Sequence, residues 1–136
     1  MRKRVVTPGR IGTAWLSLHL QIPCLETMRQ CMEFHNATVH AKANVYFEGR
    51  VISHTVITGE GEHKTVGVIL PGSYHFGTAK AERMEIVEGR CSVVLDGSDK
   101  SIGYAGGEAF EVPANAGFNI TVEGDTCHYI CSFLGA

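Results

Sequence analysis

The chain has 136 residues and a formal net charge of −2, with 44% hydrophobic and 19% charged residues. That length suits one domain with its own core, and the composition excludes a disordered chain. There is no basic stripe with interleaved aromatic residues, so we expect no nucleic-acid partner.

The first 41 residues follow no sustained hydrophobic period, and we interpret them as an N-terminal extension that is disordered or reflects a mis-assigned start. The segment begins Met-Arg-Lys-Arg, and an apolar stretch runs from Ile11 to Leu25. This combination resembles a signal peptide, but polar residues and a proline interrupt it and no small-residue cleavage site follows. The apolar runs are too short to span a bilayer, so we expect no membrane partner. A true start at Met28 or Met32 is favoured over targeting, and a real, weakly ordered tail comes second.

From residue 42 to residue 136 the pattern becomes regular, with short alternating segments that end at glycine, proline or Asp-Gly. Turn signals recur about every 8–12 residues, which is typical of a sandwich or barrel, and no long helical period interrupts them. The sequence therefore predicts an all-β domain, a single cupin with a double-stranded β-helix or jelly-roll barrel. The predicted strands are Val45–Ile57 (one long strand or two short ones), Thr65–Leu70, Tyr74–Thr78, Met84–Glu88, Cys91–Leu95, Ile102–Tyr104, Ala109–Val112, Phe118–Val122 and Thr126–Leu134.

The chain contains five cysteines, Cys24, Cys31, Cys91, Cys127 and Cys131, and no Cys-x-x-Cys pair. A secreted disulfide scaffold has an even and denser framework. We therefore predict reduced core cysteines in a cytoplasmic protein.

Two stretches match the spacing of the cupin metal motifs. The first motif has His-x-His, three or four residues, Glu, six residues and Gly, and here Glu82 and Gly89 fit it. The second has Gly, five residues, Pro-x-Gly-x-x-His, and here Gly107 and Pro113 fit it. In a metal-binding cupin the three histidines and the glutamate hold a transition metal inside the barrel.

Three of the four metal-ligand positions carry other residues in this chain. Phe76 and Thr78 stand at the His-x-His positions and Phe118 at the last histidine. Because Glu82 alone cannot hold a transition metal, we predict no metal. A rival reading is a metal-dependent enzyme that uses Glu82 with His75 and His128. Strand alternation argues against it, since His75 falls on the face opposite Phe76 and Thr78.

A series of elements covers nearly all the predicted strands of residues 44–134. In chain order they are Asn44-x-Tyr-Phe-x-Gly49, Lys64-Thr-x-Gly-Val, Gly72-x-Tyr-x-Phe-x-Thr-Ala79, Glu82-x-Met84, Gly107-x-x-Phe-x-Val-Pro113, Phe118 and Tyr129-x-Cys-x-x-Leu134. In these elements the chain resembles the pyrimidine/purine nucleoside phosphorylases, which are small bacterial cupins. The resemblance implies that a nucleoside and inorganic phosphate give ribose 1-phosphate and a free base, with broad base specificity, no cofactor and a homodimer.

Cleavage of an N-glycosidic bond develops positive charge on the ribose, so the site needs a carboxylate. Glu82 is the predicted catalytic residue, because it can accept hydrogen bonds from the ribose hydroxyls and stabilise that charge. Thr78 is predicted to add a catalytic hydroxyl. The predicted substrate-binding residues are Phe76, Phe118, Tyr74, Tyr129 and Met84. The rings of the four aromatic residues can stack on base or sugar or simply pack in the core.

Phosphate has no helix N-terminus to bind in a barrel interior, so side-chain cations must receive it. Lys64, Lys80 and Arg83 flank the motif strands and are the predicted phosphate ligands. Alternation places Arg83 opposite Glu82, so it would serve only if a partner subunit supplied it. The alternative to an enzyme is a non-catalytic cupin that binds a nucleoside or a sugar phosphate.

Overall fold

The computed structural model describes residues 32–135, and the fold is stated for that part of the chain. The prediction for residues 1–31, together with Cys24 and Cys31, lies outside it. Every strand predicted from residue 44 onward is confirmed to within two residues, and Val45–Ile57 resolves into two strands. The strands are β1 Thr38–Val39, β2 Asn44–Tyr46, β3 Val51–Ile57, β4 His63–Ile69, β5 Gly72–Gly77, β6 Glu82–Glu88, β7 Arg90–Leu95, β8 Ile102–Ala105, β9 Ala109–Val112, β10 Gly117–Val122 and β11 Cys127–Phe133.

Two antiparallel sheets face each other. The larger sheet has the order β1-β3-β4-β11-β6-β9, and β2 also pairs with β3. The smaller sheet has the order β5-β10-β7-β8. Strands that follow each other in the chain repeatedly lie in different sheets, which is the connectivity of a jelly roll. Strand β1 lies within the segment that the sequence assigned to the extension.

The core lies between the sheets because alternate residues of each strand point inward. On β6, Met84 and Ile86 are buried, whereas Arg83, which lies between Glu82 and Met84, is exposed. On β10, Phe118 and Ile120 are at most 2% exposed. Each such side chain contributes about 1.5–3 kcal/mol by leaving water. The alternation that predicted the strands is therefore also what builds the barrel interior.

Aromatic rings close both seams between the sheets. At one seam Tyr104 of β8 packs on Phe110 of β9, with ring centroids 4.8 Å apart. At the other seam Phe47, in the turn after β2, packs on Tyr74 and Phe76 of β5 with centroids at 5.0 and 5.3 Å. Edge-to-face and tilted contacts of this kind stabilise beyond the apolar area they bury. Residues 32–135 contain no helix long and apolar enough to cross a membrane.

Candidate active site

A cavity of about 200 Å³ lies inside the barrel. Its two walls differ in chemistry, because each comes from a different sheet. The larger sheet provides the polar groups, and the smaller sheet provides an aromatic surface. The residues used below are Ser53, Thr65, Glu82, Met84, Tyr129 and Cys131 from the larger sheet, and Phe76 and Phe118 from the smaller one.

Glu82 is the carboxylate of this cavity and lies beside Cys131. In the ladder of β6 and β11, Glu82 pairs with Phe133 and Met84 pairs with Cys131, so Glu82 and Cys131 are diagonal neighbours on one face. Burial raises the pKa of Glu82, and a hydrogen bond with Cys131 opposes part of that effect. Burial and the Glu82 charge raise the pKa of Cys131 to about 12. Cys131 therefore stays a thiol and can donate to the carboxylate.

A group of hydroxyls lies on the same wall. Burial raises the pKa of Tyr129 to about 12, although a hydrogen bond with Ser53 lowers it in part. Tyr129 is thus a neutral phenol at physiological pH. Thr65 and Tyr46 also line the cavity. Each hydroxyl can donate or accept a hydrogen bond, so this wall suits ligands with either pattern of polar atoms.

The opposite wall is aromatic. Phe76 of β5 and Phe118 of β10 are direct partners in the sheet, and their rings stack with centroids 5.8 Å apart. Phe118 is anchored from behind by Phe110, edge-on at 5.6 Å. Two of the three residues that replace metal-binding histidines in the cupin pattern thus form one aromatic surface.

A wider groove of about 720 Å³ continues the barrel interior beyond its mouth. It meets the cavity at Glu82 and Phe133, which line both. The groove is lined by strand ends and by the loops next to them. Lys80 lies two residues before Glu82, and His63 two before Thr65. Glu82 therefore stands between an aromatic cavity and a groove that carries a cation.

Of the three predicted phosphate ligands, Lys80 alone is among the residues that line the groove. Lys64 points to the face of β4 opposite Thr65, where its ammonium donates to Ser132 Oγ at 2.7 Å and lies 3.7 Å from Glu62. Arg83 also lies on the outer face, 3.9 Å from both Glu85 and Glu111. Strand alternation turns both side chains to the outer face, as the sequence already indicated for Arg83. Glu62 and Ser132, the partners of Lys64, line the groove, so Lys64 lies next to the groove without lining it. A phosphate-binding role for either residue stays a prediction.

Two predicted site residues have supporting positions instead. The Thr78 hydroxyl donates to the Pro113 carbonyl at 2.6 Å and accepts from the Ala116 amide at 3.0 Å. The Tyr74 hydroxyl donates to the carbonyls of Leu70 and Pro71, at 2.8 and 3.0 Å. Neither residue is among those that line the cavity. Both hydroxyls are engaged by backbone and hold loops around the site.

Several lining residues were missed at the sequence level. Ser53 and Thr65 belong to strands whose register with β11 only the fold reveals. Tyr46 lies in the Asn44-x-Tyr-Phe element, which carried the family resemblance but received no role. Cys131 was interpreted only as a core cysteine, and its burial next to Met84 agrees with that. His63 offered no signal beyond its residue type.

The histidines of the rival metal site do not reach the cavity. His75 faces outward, where its Nε2 atom lies 2.9 Å from Asp96 Oδ2. His128 lies beside the inward-facing Tyr129 and therefore on the outer face of β11. Among residues 32–135, no three His, Cys, Asp or Glu side chains come together as a metal site would require.

Comparisons with known proteins agree on one family. The model of the family described as pyrimidine/purine nucleoside phosphorylase matches residues 41–133. A protein of that name from Geobacter sp. (strain M21) is 53% identical over 102 residues, covering 75% of this chain and 98% of the relative. Another from Paraburkholderia xenovorans is 45% identical over 107 residues, covering 79% of this chain and all of the relative.

Solved structures support the same architecture. A protein of unknown function from Acinetobacter sp. ADP1 has a TM-score of 0.73 at 41% identity, covering 75% of this chain and 98% of that one. An oxalate decarboxylase from Bacillus subtilis has a TM-score of 0.59 at 12% identity, covering 76% of this chain and 30% of that one. At this identity the second similarity shows the fold alone. The predicted all-β cupin barrel is confirmed.

Proposed function

The chain belongs to the pyrimidine/purine nucleoside phosphorylase family, and we propose on that premise that it cleaves purine and pyrimidine nucleosides with inorganic phosphate. A phosphate oxygen forms a bond to C1′ of the ribose while the C1′–N bond breaks. The electron pair of that bond leaves with the base, whose nitrogen takes up a proton. The products are ribose 1-phosphate and the free base. The observation that carries this proposal is the position of Glu82 where cavity and groove meet.

The volumes of the two spaces favour one orientation of the nucleoside. Pockets for drug-sized ligands measure about 300–1,000 Å³, so a cavity of about 200 Å³ holds only one end of the molecule. The aromatic wall of Phe76 and Phe118 suits the flat base. The ribose then lies at the junction beside Glu82, and phosphate approaches through the groove past Lys80.

Glu82 acts on the ribose in this arrangement. Its carboxylate accepts hydrogen bonds from the ribose hydroxyls and opposes the positive charge that develops at C1′. A partly desolvated carboxylate interacts with that charge more strongly than it would in water. Removing one preorganised group of this kind from an active site typically costs about 10²–10³ in kcat. Cys131 supports the role by donating to the carboxylate.

The lining also explains how one site can accept purines and pyrimidines. A site built on fixed donors and acceptors discriminates sharply, because the wrong base leaves buried polar atoms unpaired. Ser53, Thr65 and Tyr129 instead present hydroxyls, which rotate to donate or accept. Stacking on Phe76 tolerates any planar base. The proposed broad specificity follows from this combination, and the proposed reaction needs no cofactor beyond phosphate.

The test is release of free base from uridine and adenosine by purified protein, with and without phosphate, after treatment with a chelator. We expect phosphate-dependent release that survives the chelator, and a large loss in Glu82→Gln. Glu85→Gln is the matched control, because Glu85 lies on the same strand but on the outer face.

Each other result has a clear meaning. Release without phosphate would make the protein a hydrolase, and release abolished by the chelator would restore a metal-dependent reaction. Binding of nucleoside without release would favour the non-catalytic cupin. Light scattering on the same preparation tests the homodimer that the family resemblance implies.

A further inference from the structure

The turn after β2 has an unusual backbone. Phe47, Glu48 and Gly49 follow each other with φ values of 51°, 57° and 92°. Only glycine adopts this left-handed region without cost, and a bulky aromatic residue there is a genuine outlier. Such strain persists only where surrounding contacts impose it, and it clusters at ligand-binding sites.

Burial of the aromatic rings does not account for this strain. Phe47 contacts Tyr74 and Phe76, yet 42% of Phe47 remains exposed. The preceding Tyr46 is 46% exposed and meets Phe76 edge-on, with centroids 5.9 Å apart and planes at 83°. A turn that served only the core would hide these rings. Instead the strained backbone holds two partly exposed aromatic side chains, of which Tyr46 lines the cavity.

Tyr46 is the residue of this segment that faces the cavity. It lines the same space as Phe76, Phe118 and Tyr129. Tyr46 also lies close enough to Tyr129 to raise the pKa of its phenol. Tyr46 is the last residue of β2, where it pairs with Val51 of β3, and the turn follows directly after it. The position of the Tyr46 ring therefore depends on the backbone of this turn. A change in the turn should therefore shift the Tyr46 ring relative to Phe76.

We propose that the turn Phe47–Gly49 is a strained clasp that fixes Tyr46 as an outer aromatic wall of the base subsite. Tyr46 contacts the purine or pyrimidine ring, while Phe47 and Gly49 are positioning residues that act through it. The ligand class rests on the proposed function, since the wall is assigned to the base of a nucleoside. Tyr46 is thus a further residue that binds the base, and its positioning accounts for the strain in Phe47–Gly49.

The first experiment compares Tyr46 variants. A base that stacks on Phe76 meets the Tyr46 ring edge-on, and such a contact contributes about 0.5–1.5 kcal/mol beyond the apolar area that it buries. Tyr46→Ala should therefore raise KM and Kd for uridine and adenosine about 5-fold or more, with a smaller change in kcat. Tyr46→Phe keeps the ring and should stay within about threefold of the parent protein. Val45→Ala is the control, because Val45 is the neighbouring exposed residue on the opposite face of β2. Equal effects of Tyr46→Ala and Val45→Ala would overturn the inference.

The second experiment tests the clasp itself through two matched glycines. Gly49 and Gly124 have φ values of 92° and 79°, and a Cβ atom added at either would meet nothing within 4 Å. Alanine at each position therefore imposes backbone strain without a clash. We expect similar decreases in Tm for Gly49→Ala and Gly124→Ala, but a rise in KM of about threefold or more only for Gly49→Ala, through displacement of the wall. A rise in both, or in neither, would contradict the clasp.

Kd is measured by calorimetry without phosphate, so failure of the reaction and failure of the wall are distinguishable. If the protein binds uridine but does not cleave it, the proposed reaction fails and the Kd series still decides the role of Tyr46. If neither uridine nor adenosine binds, the base subsite itself is refuted, and the wall with it.

Discussion

Thr78 provides a sharp test of how the loops around the site are held. Thr78→Val keeps the shape of the side chain and removes the hydroxyl that joins Pro113 and Ala116 to the end of β5. Each hydrogen bond contributes about 0.5–1.5 kcal/mol, and the Ala116 amide loses its acceptor. We therefore expect the free energy of unfolding to fall by about 2–3 kcal/mol. For a domain of this size, that lowers Tm by about 10–20 °C.

The assay is urea unfolding together with kcat on uridine, measured well below the Tm of the variant. Thr78→Ser, the control, keeps the hydroxyl and loses one methyl group, which costs about 1 kcal/mol. We expect kcat of Thr78→Val to stay within about threefold of the parent protein, because the hydroxyl acts on the loop rather than on substrate. A Thr78→Val protein of unchanged stability that had lost most of its kcat would refute this reasoning and restore the catalytic role predicted from the sequence.

Four further predictions concern the site. Glu82→Gln should lower kcat about 100-fold. Because burial raises the pKa of Glu82 above its ordinary value of 4.5, the folded protein holds that proton more tightly than the unfolded chain does. The free energy of unfolding should therefore fall as pH rises from about 4.5 through the raised pKa, and urea titrations at several pH values should show Glu82→Gln without that decrease. Phe118→Ala should lower the free energy of unfolding by about 3–5 kcal/mol in urea titrations, whereas Phe133→Ala, at a residue that is 39% exposed, should cost far less. Lys80→Ala should raise KM for phosphate about tenfold and leave KM for uridine unchanged, since one charged contact is lost. The control is Lys100→Ala, at an exposed lysine between β7 and β8, which should change neither.

The strands could be predicted from the sequence because their alternation directly records which residues face the core. Cupin spacing also located Phe76, Phe118 and Glu82, since it fixes where the chain turns inward. The outward direction of Arg83 followed from strand alternation. The contacts of Lys64 with Glu62 and Ser132 of the groove did not, because Ser132 comes 68 residues later in the chain. The role of Thr78 was out of reach, since its partners come 35 and 38 residues later in the chain. Ser53 and Tyr129 come close together only because β4 pairs with both β3 and β11 in the sheet.

The strained turn illustrates another limit of sequence reasoning. The Asn44-x-Tyr-Phe-x-Gly49 element carried a resemblance, yet nothing in its letters shows that Phe47 and Glu48 adopt left-handed backbone. Glycine alone would have suggested a turn ending at residue 49. The direction in which Tyr46 points depends on the pairing of β2 with β3, which is a tertiary property.

The origin of the two cavity walls in separate sheets has a consequence for how such an enzyme can change. Glu82 and Cys131 lie on the larger sheet, whereas Phe76 and Phe118 lie on the smaller one. No backbone ladder joins the two sets, so a substitution on one wall need not disturb the geometry of the other. Evolution, or a laboratory selection, could therefore change the aromatic wall by varying β5 and β10 while Glu82 and Cys131 on β6 and β11 are left intact.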